Sequence, residues 1–354
     1  MSLWRDLYHG DTRFDFFGYR RRWFAISGVI IAVSLFALVF LRLDLSVDFR
    51  GGTLIEFANP NGVSIADVRE LVDDAGVGSA KVQQVGGSGI RVQTAQLEAA
   101  AEDALVADLA VLLGEDPADA SRQSVGPTFG SQVTKSAVRA LIVFLIVIAL
   151  YMAWRLEWKM AGAAILALIH DLLFTSGIYA LTGLEVTPAT VIAILTILGY
   201  SLYDTVVVFD KLQENERERG DRHTYGAIVN MSMNQVLMRS INTSLISLLP
   251  IGSLLVVGSF LLGATTLREF ALALFIGVAT SMYSSIFLAA PLVGMWKERE
   301  SHWIKLRNRL ERRGGAEEFA VHETAGRATA GAGAMPASGA MPRPPRKRQK
   351  GPRR

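Results

Sequence analysis

The sequence predicts an α-helical polytopic membrane protein, with six transmembrane helices and a ferredoxin-like α+β domain after the first helix. Three observations lead there. The 354 residues are 51% hydrophobic and only 19% charged, with a mean hydropathy of +0.31, whereas a soluble chain carries about 25% charged residues. The apolar excess sits in six blocks, each near the roughly 20 residues needed to cross a bilayer. Finally, the one long stretch between blocks, Asp44 to Thr134, reads as strand, helix, strand, strand, helix, strand. The chain has no cysteine, which excludes a disulfide framework, a thiolate nucleophile and Cys-based zinc or iron–sulfur centres. Apolar blocks this long and irregular also exclude collagen, repeat arrays and a fully disordered chain.

The blocks run over Trp23–Leu41, Ala137–Trp154, Met160–Leu181, Pro188–Phe209, Ile241–Gly263 and Phe270–Trp296. Arg20, Arg21 and Arg22 precede the first block as in a secretory signal, but it exceeds a signal's apolar length and no small-x-small site precedes Arg42. It is expected to remain as an uncleaved span. Arg155 and Lys159 lie between spans two and three, and Lys211, Arg217, Arg219 and Arg222 between spans four and five. The stretch from Lys297 onward carries 15 Lys/Arg against 6 Asp/Glu. With alternating spans all of these fall on one side, the cytoplasmic one by the positive-inside rule. The opposite side receives the links Thr182–Thr187 and Ala264–Glu269 and the Asp44–Thr134 loop, with 14 acidic and 5 basic residues. Trp23, Trp154, Trp158 and Trp296 at span ends fit an interfacial aromatic belt. The chain therefore divides into a cytoplasmic segment 1–22, a first helix 23–43, an extracytoplasmic βαββαβ domain 44–136, helices two to six within 137–296, and a cytoplasmic, basic, largely disordered tail 297–354.

Within the large loop, Thr53–Ala58 alternates as a strand, Ser64 opens a helix that stops at Gly76, and Lys81–Val85 and Ile90–Thr94 form a hairpin across Gly86-Gly87-Ser88-Gly89. Gln96–Leu113 is a second helix ending at Gly114, and Ser121–Val125 a weak last strand before Gly126-Pro127. This is the ferredoxin-like order, a fold that names no activity. The loop holds no histidine or cysteine, and its acids read as a solvated face. A contact or lever element is the expectation.

Ionisable groups inside apolar blocks are costly and mark functional candidates. His170 and Asp171 lie midway along span three, Asp204 about one turn from the cytoplasmic end of span four, and Arg239 at the start of span five, followed by Asn242, Thr243 and Ser244. Spans four and five bring Asp204, Arg239 and Asn242 to similar depth. Tyr200, Ser201, Tyr203 and Thr205 surround the acid, and Ser281, Tyr283, Ser284 and Ser285 enter from span six. One buried polar cluster is expected. Two readings fit: a static Asp204–Arg239 ion pair, or a proton carrier whose affinity changes as desolvation and the arginine compete. His170 and Asp171, adjacent in sequence, are expected on different helix faces and not as a pair. Gly162, Ala163, Ala164, Gly252, Ser253, Gly258, Ser259, Gly263, Gly277 and Ala279 permit close helix packing. No HExxH or clustered ligand set suggests a metal, and no nucleophile–base pair or P-loop suggests an enzyme.

Five motifs in order resemble one family. Asp48-Phe-Arg-Gly-Gly-Thr53 (with Arg50, Gly51 and Gly52), Val125-Gly-Pro-Thr-Phe-Gly130 (with Gly126 and Pro127), Ala167-Leu-Ile-His-Asp171, Gly199-Tyr-Ser-Leu-Tyr-Asp-Thr205 followed by Val206-Val-Val-Phe-Asp210, and Arg239-Ser-Ile-Asn-Thr-Ser244 are similar to signatures of the SecD/SecF family, part of the RND transporter superfamily. The resemblance spans about residues 5 to 300. It implies a six-span subunit that pairs with SecD into a twelve-helix unit, associates with the SecYEG channel, with YajC and YidC as further partners, and uses the proton-motive force to complete preprotein export across the cell membrane. It implies proton-coupling roles for Asp204 and Arg239, with Asn242 and Thr243 in the same segment; His170, Asp171, Tyr200, Ser201, Thr205 and Ser284 are the supporting polar groups. It implies no cofactor. Tyr203 departs from the pattern, since many relatives carry asparagine there. The basic tail matches no family motif; its end suits anionic lipid, ribosomal RNA or a merely solubilising role. An RND-type proton-coupled exporter of small molecules or lipid is the alternative, disfavoured by the single small loop.

Overall fold

The computed structural model describes residues 14–77, 80–85, 89–258 and 265–312. The expected turn at Gly86, Gly87 and Ser88, the small residues Ser259 and Gly263, Ala264 of the last link and the tail from residue 313 lie outside them. The chain enters through α1 (Arg20–Phe36), whose last turn widens into a π-helical stretch, Ala37–Leu41. After β1 (Asp44–Leu45) and the single turn α2 (Val47–Arg50) come β2 (Gly52–Ala58), α3 (Ile65–Asp74), β3 (Lys81–Val85), β4 (Gly89–Thr94), α4 (Ala99–Leu113) and β5 (Ser121–Val125). The strands order as β3-β4-β2-β5, every neighbour antiparallel, which is the ferredoxin-like arrangement.

Local chemistry explains these elements. The Ser64 hydroxyl caps α3 by accepting from the Asp67 amide at 3.2 Å, satisfying one of the free donors at a helix start. Gly114 ends α4 in a left-handed conformation, where a side chain would be strained. On β2, Ile55 and Phe57 face the helices and join Val68, Val72, Leu105 and Leu109 in the domain core. Each such side chain contributes about 1.5–3 kcal/mol by leaving water. Period-two alternation turns Glu56 to the opposite face.

The remaining spans are α5 (Pro127–Arg155), α6 (Trp158–Thr182), then, after β6 (Glu185–Val186), α7 (Pro188–Arg219) and α8 (Tyr225–Val256). The sixth crossing is composite: α9 (Thr265–Tyr283), a π-helical stretch Ser284–Ala289, and α10 (Ala290–Lys297), with α11 (Ser301–Arg312) beyond it. Among the described residues six helices are thus long and apolar enough to cross a membrane. About half of the apolar stretch of α6 is enclosed by protein, against 11% for α5 and α8. The sixth crossing is enclosed to 56%, so it and α6 form the centre of the bundle, with α5 and α8 on its surface.

Two helices outrun their apolar blocks. The α7 helix continues to Arg219 and α8 starts at Tyr225, so the charged residues expected in a link between spans stand on a helical hairpin. Helical spacing of buried residues continues past the apolar run: Leu212 and Asn215 on α7 meet Ile228, Val229, Ser232 and Met233 on α8. Asn215 Nδ2 donates to Ser232 Oγ and Gln235 Oε1, both at 2.8 Å. At the same end Lys297 is buried between Glu216 Oε1 (3.0 Å) and Glu157 Oε2 (2.5 Å). The short strands β1 and β6 pair in parallel at the other end, tying the α1 exit to the α6–α7 link.

Candidate functional site

The sequence-predicted polar cluster resolves into two centres one turn apart on α7. The first surrounds Asp171 on α6, which is 1% exposed. Its Oδ2 accepts from Ser201 Oγ of α7 at 2.6 Å and from Ser284 Oγ of the π-helical stretch at 2.8 Å. Its Oδ1 lies 3.2 Å from His170 Nδ1. This corrects the expectation that the two neighbours do not pair. Adjacent Cβ atoms diverge by about 100° around a helix, but the imidazole turns back toward the carboxylate between the rings of Phe174 and Tyr283.

The second centre surrounds Asp204, 5% exposed. Ser240 Oγ of α8 donates to Asp204 Oδ1 at 3.0 Å, while buried Oδ2 has no hydrogen-bond partner among the described residues. Next to it, Thr205 Oγ1 and Ser285 Oγ lie 2.9 Å apart. The expected Asp204–Arg239 ion pair does not form: Arg239 and Asn242 are exposed on α8, and Thr243 Oγ1 donates to the Arg239 carbonyl at 2.8 Å. Ser240, one residue along, occupies the position facing the acid. Tyr200 also leaves the acid, its hydroxyl lying 3.0 Å from Ser247 Oγ. Tyr203 points outward and is 56% exposed.

What joins the centres is the π-helical turn. Its wider backbone places consecutive hydroxyls on the α6–α7 side, Ser284 on Asp171 and Ser285 on Thr205. Such bulges recur at functional sites because they re-aim side chains. The result is two enclosed carboxyls flanked by adjacent serines of one turn, Ser284 bonded to Asp171 and Ser285 to Thr205 beside Asp204, whose Oδ2 is open to a further donor.

A third centre was missed in the sequence. Arg91 of β4 is 7% exposed and sits among three carboxylates: Glu56, Glu185 and Glu269, the last at 3.5 Å. Glu56 is its cross-strand partner on β2; Glu185 belongs to β6 and Glu269 to the start of the last crossing. Lys81 of β3 pairs likewise with Asp44 of β1. The helix-free face of the sheet is thereby pinned to the span ends. Burial alone would lower the Arg91 pKa, but Glu56, Glu185 and Glu269 outweigh it and hold the guanidinium above its ordinary value. Burial, helped by Asp44, raises the Glu185 pKa, against the lowering by Arg91 and Lys81. Reading the loop's acids as a solvated face overlooks Glu56 and Asp44. The available signal was one arginine on the polar face of a strand opposite a glutamate.

The two glycine-bearing motifs lock into each other where the domain meets α1 and α5. Gly51, at φ +78, leaves room for neither a side chain nor a shift: a Cβ there would lie 2.7 Å from Pro127 Cα. Gly130 faces Gly51 N and Phe49 O, at 2.8 and 2.9 Å from a notional Cβ. Gly52 follows at the start of β2, and Gly126 and Pro127 open α5 as its cap and first residue. Asp48 accepts from Gln123 Nε2 at 2.7 Å and from Ser46 Oγ at 3.2 Å, and Arg50 Nη2 donates to the Leu43 carbonyl at 3.4 Å. These contacts give the motifs a packing explanation. Among the described residues no group of three or more His, Asp or Glu converges in a way that could hold a metal.

The family model described as "Protein export membrane protein SecD/SecF, C-terminal" matches residues 106–299. The chain is 40% identical over 311 residues to protein translocase subunit SecF of Streptomyces coelicolor, covering 87% of this chain and 83% of that one. It is 42% identical over 312 residues to SecF of Mycobacterium tuberculosis, with 83% and 69% covered. Protein translocase subunit SecDF of Thermus thermophilus is 34% identical over 304 residues, covering 82% of this chain and 39% of its own. The crystal structure of SecDF, a translocon-associated membrane protein from that organism, is similar with a TM-score of 0.75 at 35% identity, covering 84% of this chain and 40% of that chain. Against this SecDF structure the chain therefore spans well under half the length of the longer protein.

Proposed function

The chain belongs to the SecD/SecF family of protein-export membrane proteins, and from that premise we propose that it couples proton flow down the proton-motive force to late steps of preprotein translocation. Its role is in protein export, as a transport component of the translocase. What supports proton coupling is the Asp204 carboxyl: enclosed within the span bundle, bonded to Ser240 through one oxygen, and without a partner on the other. A buried acceptor left open is costly unless protons or water reach it. The Ser285–Ser284 turn offers a bridge toward Asp171, so a proton path through this subunit would use both acids.

Arg239 and Asn242 stand exposed on α8, a span with only 11% of its apolar stretch enclosed. An arginine near the end of a span is less costly facing a protein partner than facing lipid. A SecD subunit packed on this face would cover both groups and bring the guanidinium into the proton path. The single SecDF chain of Thermus thermophilus supports that pairing. On this reading the basic ends of the spans and both termini are cytoplasmic and the α+β domain is extracytoplasmic, in the bacterial cell membrane; SecYEG, YajC, YidC and the preprotein are the further partners.

The test is export in a strain depleted of its native copy. Asp204→Asn and Arg239→Met are expected to insert and assemble yet lose proton-dependent stimulation. Full export by both variants would overturn the proposal.

A further inference from the structure

We propose that the basic end of the bundle holds a binding site for the phosphate headgroup of an anionic phospholipid. A groove of about 560 Å³ lies where the start of α1 meets the end of α10 and the amphipathic α11. It is half-open at the surface rather than an enclosed cavity. Four arginines line it, Arg20 and Arg21 from α1, Arg299 from the α10–α11 turn and Arg307 from α11. The one carboxylate on its wall, Glu298, is turned to the start of α8, where Oε1 accepts from the Gly226 amide at 3.2 Å.

Of the four, Arg20 is held by its own neighbours, and Arg307 lies 4.0 Å from Glu311 Oε1 on the same helix. Arg20 donates to the Phe17 carbonyl at 2.8 Å and lies over the Phe17 ring at 4.2 Å. The helix α11 is anchored by buried Trp303, whose ring meets Tyr225 edge-on at 5.0 Å, and by Leu306. That anchoring fixes Arg307 opposite α1. A convergent set of guanidinium forks suits phosphate oxygens, which they bind in paired, charge-assisted hydrogen bonds.

Position and lining select a lipid over a soluble anion. Arg20, Arg21 and Phe24 belong to the first turns of the first crossing, and Met295 to the last turn of the sixth. The site therefore sits at headgroup level, where basic pockets between spans recruit anionic lipid. Phe24, Met295 and Ile304 supply an apolar floor that a glycerol backbone and acyl chain can cover and a free phosphate cannot. The site needs only the membrane-spanning fold, so its failure would leave the export reading untouched.

The experiment is native mass spectrometry of the full chain titrated with phosphatidylglycerol, phosphatidylcholine or inorganic phosphate. Preferential retention of phosphatidylglycerol is expected, not displaced by millimolar phosphate. Losing two charge-assisted contacts in R299Q/R307Q should weaken it about tenfold or more. The charge-matched variant R309Q/R312Q, on the exposed end of α11 outside the groove, should bind as the wild type does. Equal retention of both lipids, displacement by inorganic phosphate, or equal weakening in the two variants would each overturn the site.

Discussion

Replacing Arg91 by leucine should release the α+β domain from the span ends without unfolding it. The arginine is buried, as is the Glu185 side chain at 7% exposed, while Glu56 and Glu269 each retain 20%. Removing one member of a buried ion-pair set costs about 3–5 kcal/mol because the remaining charges stay desolvated. The two more accessible glutamates draw on solvent, which places the loss near the lower figure. Separation of the sheet from the spans rehydrates all three carboxylates, so undocking is the path of relief. The amide of Ser46, bonded to the Val186 carbonyl at 3.0 Å, reports on that path. A loss of about 3 kcal/mol corresponds to roughly 100-fold easier opening. Hydrogen exchange of the full chain in lipid nanodiscs should show this at residues 44–46 and 185–186, with the β2 and β4 core amides protected as before. Arg91→Lys should recover part of the protection, since an ammonium lacks the fork. Wild-type exchange at the β1–β6 pair, or equal loss in the domain core, would refute the clasp.

The same clasp should depend on pH. Because the folded-state pKa of Glu185 lies above its ordinary value of 4.5, the folded chain binds more protons over that interval and its stability falls as pH rises through it. The Glu185 contribution is complete below about pH 4.5 and is lost above the raised value; thermal melts of Glu185→Gln should show a flatter decline than the wild type. Gly130→Ala drives a methyl group against Gly51 N and Phe49 O, backbone atoms that cannot swing aside. It should cost about 1–3 kcal/mol, read as a lower melting temperature with unchanged insertion.

Much of the architecture was legible because its causes are local. Apolar length marks a membrane-crossing helix wherever it occurs, and the Ser64 cap, the alternation in β2 and β4 and the left-handed stop at Gly114 act within a few residues. The limits appear where a polar stretch is buried by tertiary packing: α7 and α8 extend to Arg219 and from Tyr225 because each covers the other, which hydropathy along one chain does not report. The intramembrane acids were also legible, since a carboxylate in an apolar block stands out. Their partners were not. Ser240 and not Arg239 meets Asp204, Ser201 goes to Asp171 and Tyr200 to Ser247. Those pairings turn on helix rotation, for which the sequence offers no ruler finer than a face.

By itself the sequence determined six crossings, an acidic ferredoxin-like insertion and two isolated acids at membrane depth, because hydrophobic length, alternation and charge in an apolar run are one-dimensional quantities. Tertiary structure alone decided that the acids form two centres bridged by a π-helical turn, that Arg91 gathers carboxylates from both the domain and the span ends, and that four arginines converge on one groove. Such arrangements depend on distances between residues far apart in the chain, Arg91 and Glu185 being separated by 94 positions, and only packing brings them together.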